Sequence, residues 1–216
     1  MRLTLAKAGG LASLTIAATY LFGFALFIFV LDSSGYEGLA GRLAFATDNW
    51  AALTLAMIVL YLVCGSALIV LVCALYERMR DTMRGASLVA AGFGLAWATL
   101  LLASGMVSIT GIQSVMQIAA DDAESAATIW AAVGTVQNGL GGGIEFVGGA
   151  WSILVSIIAL KTGTFSRPLA WLGIALGLVG LATAWPLSEE LTSIFGLGQI
   201  VWFIWLGVAL IRPSKA

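Results

Sequence analysis

The sequence predicts an all-α polytopic membrane protein, a bundle of six transmembrane helices forming one integral membrane domain over residues 1–216. Three observations carry this. Hydrophobic residues make up 61% of the 216 and charged residues 10%, where a soluble domain carries roughly 25% charged. Apolar stretches of bilayer-spanning length, which takes ~20 residues, recur along the chain. The charges between them alternate in sign. Arg2 and Lys7, then Arg78, Arg80 and Arg84, then Lys161 and Arg167, then Arg212 and Lys215 mark one side, and Asp32, Glu37 and Asp48, then Asp121, Asp122 and Glu124, then Glu189 and Glu190 mark the other. Lys and Arg stay in cytoplasmic loops on insertion, so six spans with both termini in the cytoplasm are expected.

The spans follow in order as 9–31, 50–76, 86–110, 139–160, 168–186 and 191–211. The first has a short basic start, but its apolar run exceeds the ~7–15 residues of a cleavable signal, so it is expected to be retained. Residues 32–49 read as a Gly- and Ser-containing loop of mixed charge. Short basic segments, YERMRDTMRG and KTGTFSRP, join the second span to the third and the fourth to the fifth. Pro168 suits the first turn of the fifth span, where no backbone N–H is required, and Pro186 closes that span. Within 111–138, Asp121 with Glu124 three later resembles a capping box, and Ile129, Trp130, Val133 and Val136 recur at helical spacing. A short helix at the outer interface, or an outward extension of the fourth span, is predicted there. Trp50, Trp130 and Trp185 fall near the outer boundary, where indole rings are enriched.

Of ten basic residues only Arg42 falls on the outer side, a sorting unlike the single basic face of a nucleic-acid binder. Histidine is absent, which removes the commonest general base and any histidine-ligated metal. Cys64 and Cys73 are separated by about 13 Å of helix, too far for a disulfide within the chain, and read as buried apolar fillers. The run Gly141, Gly142, Gly143 lacks the Lys and Ser/Thr of a phosphate loop and reads as a flexible helix start or a kink. No cofactor is expected.

The opening AKAGGLASL, the stretch LKTGTFSRPLAWLGIALGLVGL and the closing QIVWFIWLGVALIRP together resemble a family of small bacterial six-helix membrane proteins catalogued only as a domain of unknown function. The resemblance implies six helices in the cytoplasmic membrane of a bacterium and brings no catalytic residues with it.

Glu145 is the ionisable residue well inside a predicted span. A carboxylate in hydrocarbon costs ~2.5–3.5 kcal/mol on insertion scales, so it is expected to face protein or water. About 24 Å of helix separates it from Lys161, which puts it in the outer third of a ~30 Å core. Its functional reading is a proton- or cation-binding carboxylate; the alternative is a structural polar anchor at a helix end. Gln199, Gln113, Gln117 and Asn138 approach the same level, with Arg42 the available outer cation. If they converge they make an outward-opening polar vestibule; otherwise they are independent amides at helix ends.

A second pattern is a seam of small residues. Gly142, Gly149, Ser152 and Ser156 share a face of the fourth span with Asn138, Glu145 and Ala159, and Gly173, Gly177 and Gly180 share one on the fifth. Such faces let helices approach closely, and a compact bundle is expected. The function expected is therefore that of a non-catalytic accessory or assembly protein, embedded in the lipid bilayer and packing against another membrane protein or itself. The alternative is a carrier or receptor for a small solute at the vestibule around Glu145. An enzyme is not expected, since no second buried carboxylate accompanies Glu145.

Overall fold

The structure, a computed structural model, describes residues 4–185 and 189–212. Expectations placed on Arg2, Pro186 and Lys215 lie outside the described residues.

Helix α1 (Leu5–Phe29) starts at Thr4, whose hydroxyl accepts the Lys7 N–H at 3.4 Å. The segment 32–49, expected to be a loop, instead contains helix α2 (Gly38–Asp48). Its start is marked by positive φ at Gly35 (88°) and Gly38 (67°), and Tyr36 anchors the turn by donating its hydroxyl to Asp48 at 3.1 Å and packing edge-on against Phe45.

Helix α3 (Trp50–Met57) runs through a π-helical segment (Ile58–Val63) into α4 (Cys64–Ile118). α4 leaves helical geometry at Met83 (φ −139°, ψ 60°), where it turns back on itself. Gly65 then lies against Ala98 and Leu102, Gly94 against Val72, and Gly105 against Tyr61, the register of an antiparallel hairpin. The arms 64–82 and 84–118 carry the second and third spans, and the expected basic connection is largely helical, with an Arg80–Glu77 ion pair at 2.9 Å. The 84–118 arm exceeds the ~20 residues of one crossing, so its C-terminal end projects beyond the bundle.

Helix α5 (Ala123–Gln137) returns along that projecting end, with Val133 over Gly111 and the Ser104 hydroxyl donating to the Gln137 carbonyl at 3.1 Å. It is the outward extension of the fourth span rather than a separate interfacial helix. Its N-cap is Asp122, which accepts from the Ser125 N–H (3.0 Å) and hydroxyl (2.6 Å), one residue later than the expected Asp121/Glu124 pair. Ala119 and Ala120 extend the preceding turn and shift the register. Leu43 of α2, Val115 of α4 and Ala126 and Ala127 of α5 bury together, forming a small cap on that projecting end.

The fourth span is interrupted. A second π-helical segment (Asn138–Gly142) contains Gly141 at φ 123°, a conformation that favours glycine, and α6 (Phe146–Thr162) begins only after Glu145. The expected helix start at 139 is thus too early by seven residues. Gly163, at φ 68°, closes α6. α7 (Arg167–Ala182) has Pro168 in its first turn as expected, and α8 (Glu189–Ile211) completes the chain.

The two arms of α4, α6, α7 and α8 stand in sequence order around a ring that closes between α8 and α1. At that closure Gly10 and Gly207 meet backbone to backbone, and the Ser13 hydroxyl donates to the Phe203 carbonyl at 2.7 Å. The middle is filled. Trp97, Trp151, Trp202, Phe195 and Phe203 are all nearly inaccessible and pack ring to ring at centroid distances of 5.3–6.4 Å. Outward faces are apolar, with Leu88, Trp171, Leu178 and Val201 more than half exposed. Leu5–Phe29, Trp50–Ile118, Ala123–Thr162 and Glu190–Ile211 are each long and apolar enough to cross a membrane, and Arg167–Ala182 is a shorter apolar helix. With Trp50–Ile118 folded into a hairpin, these make the six spans. Cys64 is buried, whereas Cys73 faces outward and is exposed, because the 64–82 arm turns only one face inward.

Candidate functional site

Glu145 occupies the N-cap position of α6 and is 8% exposed. Its backbone, not its carboxylate, is held by the neighbours. The Glu145 N–H donates to the Thr183 hydroxyl at 2.8 Å, that hydroxyl donates to the Gly180 carbonyl at 2.7 Å, and the Glu145 carbonyl takes the first α6 bond from Gly149 at 2.8 Å. The carboxylate oxygen Oε2 is buried without a hydrogen-bond partner. The Trp97 indole N–H approaches the carboxyl without forming an aligned hydrogen bond. Tyr20 of α1, Tyr61 of the first π segment and Cys64 of α4 lie within electrostatic reach of it. Among the described residues no Lys or Arg pairs with it.

The break that places Glu145 has its own supports. The Gly143 and Ile144 N–H groups fold back to the Asn138 carbonyl at 3.2 and 3.3 Å, and the Thr192 hydroxyl donates to the Gly143 carbonyl at 2.8 Å. Gln137 Nε2 donates to the Tyr61 hydroxyl at 2.7 Å, tying the two π segments together. Non-helical backbone is tolerated at membrane depth only where it is buried in protein or lines a cavity, and π segments recur at functional sites.

The expected vestibule assembles only in part. Glu145 and Gln199 are buried, and the Gln199 amide donates to the Ser152 hydroxyl at 3.0 Å while its carbonyl oxygen is left unpartnered. Asn138, Gln113, Gln117 and Arg42 are exposed. The π turn rotates Asn138 outward and brings Gln137 in, while Gln113 and Gln117 sit on the outward face of the projecting α4 arm. Tyr20, Tyr61, Trp97, Gln137, Thr183 and Thr192 take the places of the missing members. The signal available was the placement of two tyrosines inside apolar spans, since a buried phenol requires a partner.

The seam is internal. A Cβ at Gly149 would meet the Gly177 carbonyl at 2.6 Å, and one at Gly180 would meet the Gly149 Cα at 2.8 Å and the Glu145 carbonyl at 3.1 Å. α6 and α7 therefore touch through their backbones. Gly173 leaves space for Ser156 and Trp202, and Ser152 and Ser156 are buried at the helix junctions. Gly142 does not belong to the seam: it precedes the start of α6 and faces Gln137.

Together the ring of apolar helices and the buried acidic centre define a polytopic helical membrane protein with a polar site at the break that precedes α6. The chain belongs to the family described as domain of unknown function DUF4386, whose model matches residues 8–209. No curated protein and no solved structure matches it.

Proposed function

We propose that this protein is a membrane-embedded binding protein, a carrier or receptor for a small solute, in which Glu145 is the group that meets the ligand. The observation that carries the reading is the Glu145 carboxyl, buried at a break in its own span with an oxygen, Oε2, that has no hydrogen-bond partner among the described residues. An ionisable residue at membrane depth is by default a functional group, and a buried polar atom left unpaired costs free energy that a ligand recovers. The reading is one of binding rather than catalysis. The accessory role drew on tight small-residue seams, scarce buried ionisable groups and the lack of a catalytic constellation; of these, the seams of α6 and α7 lie against each other. The basic turn at Met83 and the basic α6–α7 connection support cytoplasmic termini in the inner membrane of a bacterium.

The test is gentle extraction followed by native mass spectrometry of the wild type and Glu145→Gln. A small molecule retained by the wild type and lost from a Glu145→Gln protein of unchanged melting temperature supports the reading. A stoichiometric protein partner held equally by both, with no small molecule, sinks it and restores the accessory role.

A further inference from the structure

No proline falls between Ala123 and Thr162, so the break in the fourth span rests on Gly141 at φ 123° and on bonds from other helices. Those bonds replace helical ones. A continuous helix sends the Glu145 N–H to the Gly141 carbonyl and the Val147 N–H to the Gly143 carbonyl. Here the Thr183 hydroxyl, at the end of α7, accepts the Glu145 N–H at 2.8 Å, and the Thr192 hydroxyl of α8 donates to the Gly143 carbonyl at 2.8 Å. The residue order also fits the unbroken form. Asn138, Gly142, Glu145, Gly149, Ser152 and Ser156 recur at spacings of four and three, the single face of one helix. In the broken form Asn138 is exposed, and Gly142 is covered by the Gln137 side chain, whose Nε2 lies 2.6 Å from where a Cβ would stand. The same nitrogen donates to the Tyr61 hydroxyl at 2.7 Å. Gln137 thus straps the turn before Glu145 to the second span.

We infer that residues 137–145 are a two-state joint, and that the broken form is its closed state. In the open state α5 and α6 are one helix, and Gln137 leaves Tyr61 and Gly142. Asn138 and Gly142 then return to the Glu145 face and leave a small polar track from α5 down to the carboxyl. Both states satisfy the same two backbone groups, by hydroxyls of neighbouring helices when broken and by the helix's own ladder when continuous, so a modest bias moves the balance. That the track admits a ligand rests on the binding role of Glu145; the joint itself does not.

The joint is read by pulsed dipolar distance measurement on the full chain in phosphatidylcholine nanodiscs. Spin labels are placed at Ala132→Cys and Lys161→Cys, both exposed positions, with Cys73→Ser. The continuous state puts these positions about 44 Å apart along one helix, and the broken state puts them closer, since any bend shortens the chord. The wild type is expected to show mainly the shorter distance. At Gly141 a Cβ meets nothing within 4 Å, but φ 123° is a conformation that L side chains rarely adopt. Gly141→Ala therefore acts on the backbone alone and raises the long population at least severalfold. Tyr61→Phe combined with Thr192→Val cuts the strap and one replacement bond, and does the same from outside. Gly139→Ala, equally open but without positive φ, leaves the balance unchanged. A single distance common to the wild type, Gly141→Ala and the Tyr61→Phe/Thr192→Val protein overturns the inference. So does a Gly141→Ala protein that fails to fold, because the break is then obligatory, or a Gly139→Ala shift as large as that of Gly141→Ala. A moving joint in a protein that retains no small molecule upholds this inference and removes the binding role. A fixed joint in a protein that loses its small molecule on Glu145→Gln does the reverse.

Discussion

Gln137 donates a hydrogen bond of 2.7 Å to the hydroxyl of Tyr61, and through it the π-helical segment of the second span is fastened to that of the fourth. Each segment widens its helix locally, and they meet beside Glu145. The bond therefore couples two irregularities that neither span sustains through its own ladder. Replacing Tyr61 by Phe and Gln137 by Leu, singly and together, is expected to give a coupling of about 0.5–1.5 kcal/mol, the net worth of one such bond. Additive losses in detergent unfolding would show that the two segments are independent.

The glycines differ in what surrounds them: some lie against a neighbour's backbone, some against its side chains, and some against nothing. A side chain at Gly149 collides with the Gly177 carbonyl and the Leu181 N–H, neither of which can yield, whereas Gly92 has open space around it. Gly149→Val is expected to destabilise by at least about 1–3 kcal/mol, the cost of overpacking. Gly92→Ala is neutral to stabilising, as a helical Gly replaced by Ala should be. Thermal melts of both variants check the contrast.

Acid should loosen the outer loops before the bundle. The Ser125 hydroxyl and N–H hold the Asp122 carboxyl below its ordinary value of 3.8, and the Ser34 N–H does the same for Asp32. A depressed folded value means the stabilisation is fully present above the unfolded value and is lost as pH falls through the folded one. Amide exchange at the start of α5 is therefore expected to accelerate below about pH 3.8. In Asp122→Asn that acid dependence should largely disappear, leaving only the Asp32 contribution at its own loop.

The six-span reading puts Asp81, beside the turn at Met83, and Ser125, in the first turn of α5, on opposite sides of the membrane. With Cys73 replaced by serine, a cysteine at Ser125 is expected to react with an impermeant maleimide in intact cells. One at Asp81 should react only after the cells are opened. Labelling of both from one side would refute the six-span topology.

Much of the fold was legible because charge sorting and apolar length are properties of single segments. The first turn of α7 and the buried seam of α6 and α7 followed from Pro168 and Gly149 in that way. What could not be read depended on rotation about a helix axis. An uninterrupted 139–160 helix puts Asn138 on the Glu145 face, but the π turn and Gly141 shift the phase, so that Gln137 points inward instead. Arg42 stands away from the site because its segment is helical: α2 docks through Leu43 and Ala46 and turns Arg42 outward. The Gly10–Gly207 closure joins the ends of the chain, a distance that no local pattern encodes.

That closure sets the order in which the molecule can be made. α8 delivers Phe195, Trp202 and Phe203 to the centre, donates Thr192 to the broken span, and covers Ser152 with Gln199. Until it is in place, the Gly143 carbonyl lacks its Thr192 donor, Ser152 its Gln199 partner and Ser13 its Phe203 acceptor. The centre of the bundle is therefore completed by its last helix, and it closes only when α8 lies beside α1.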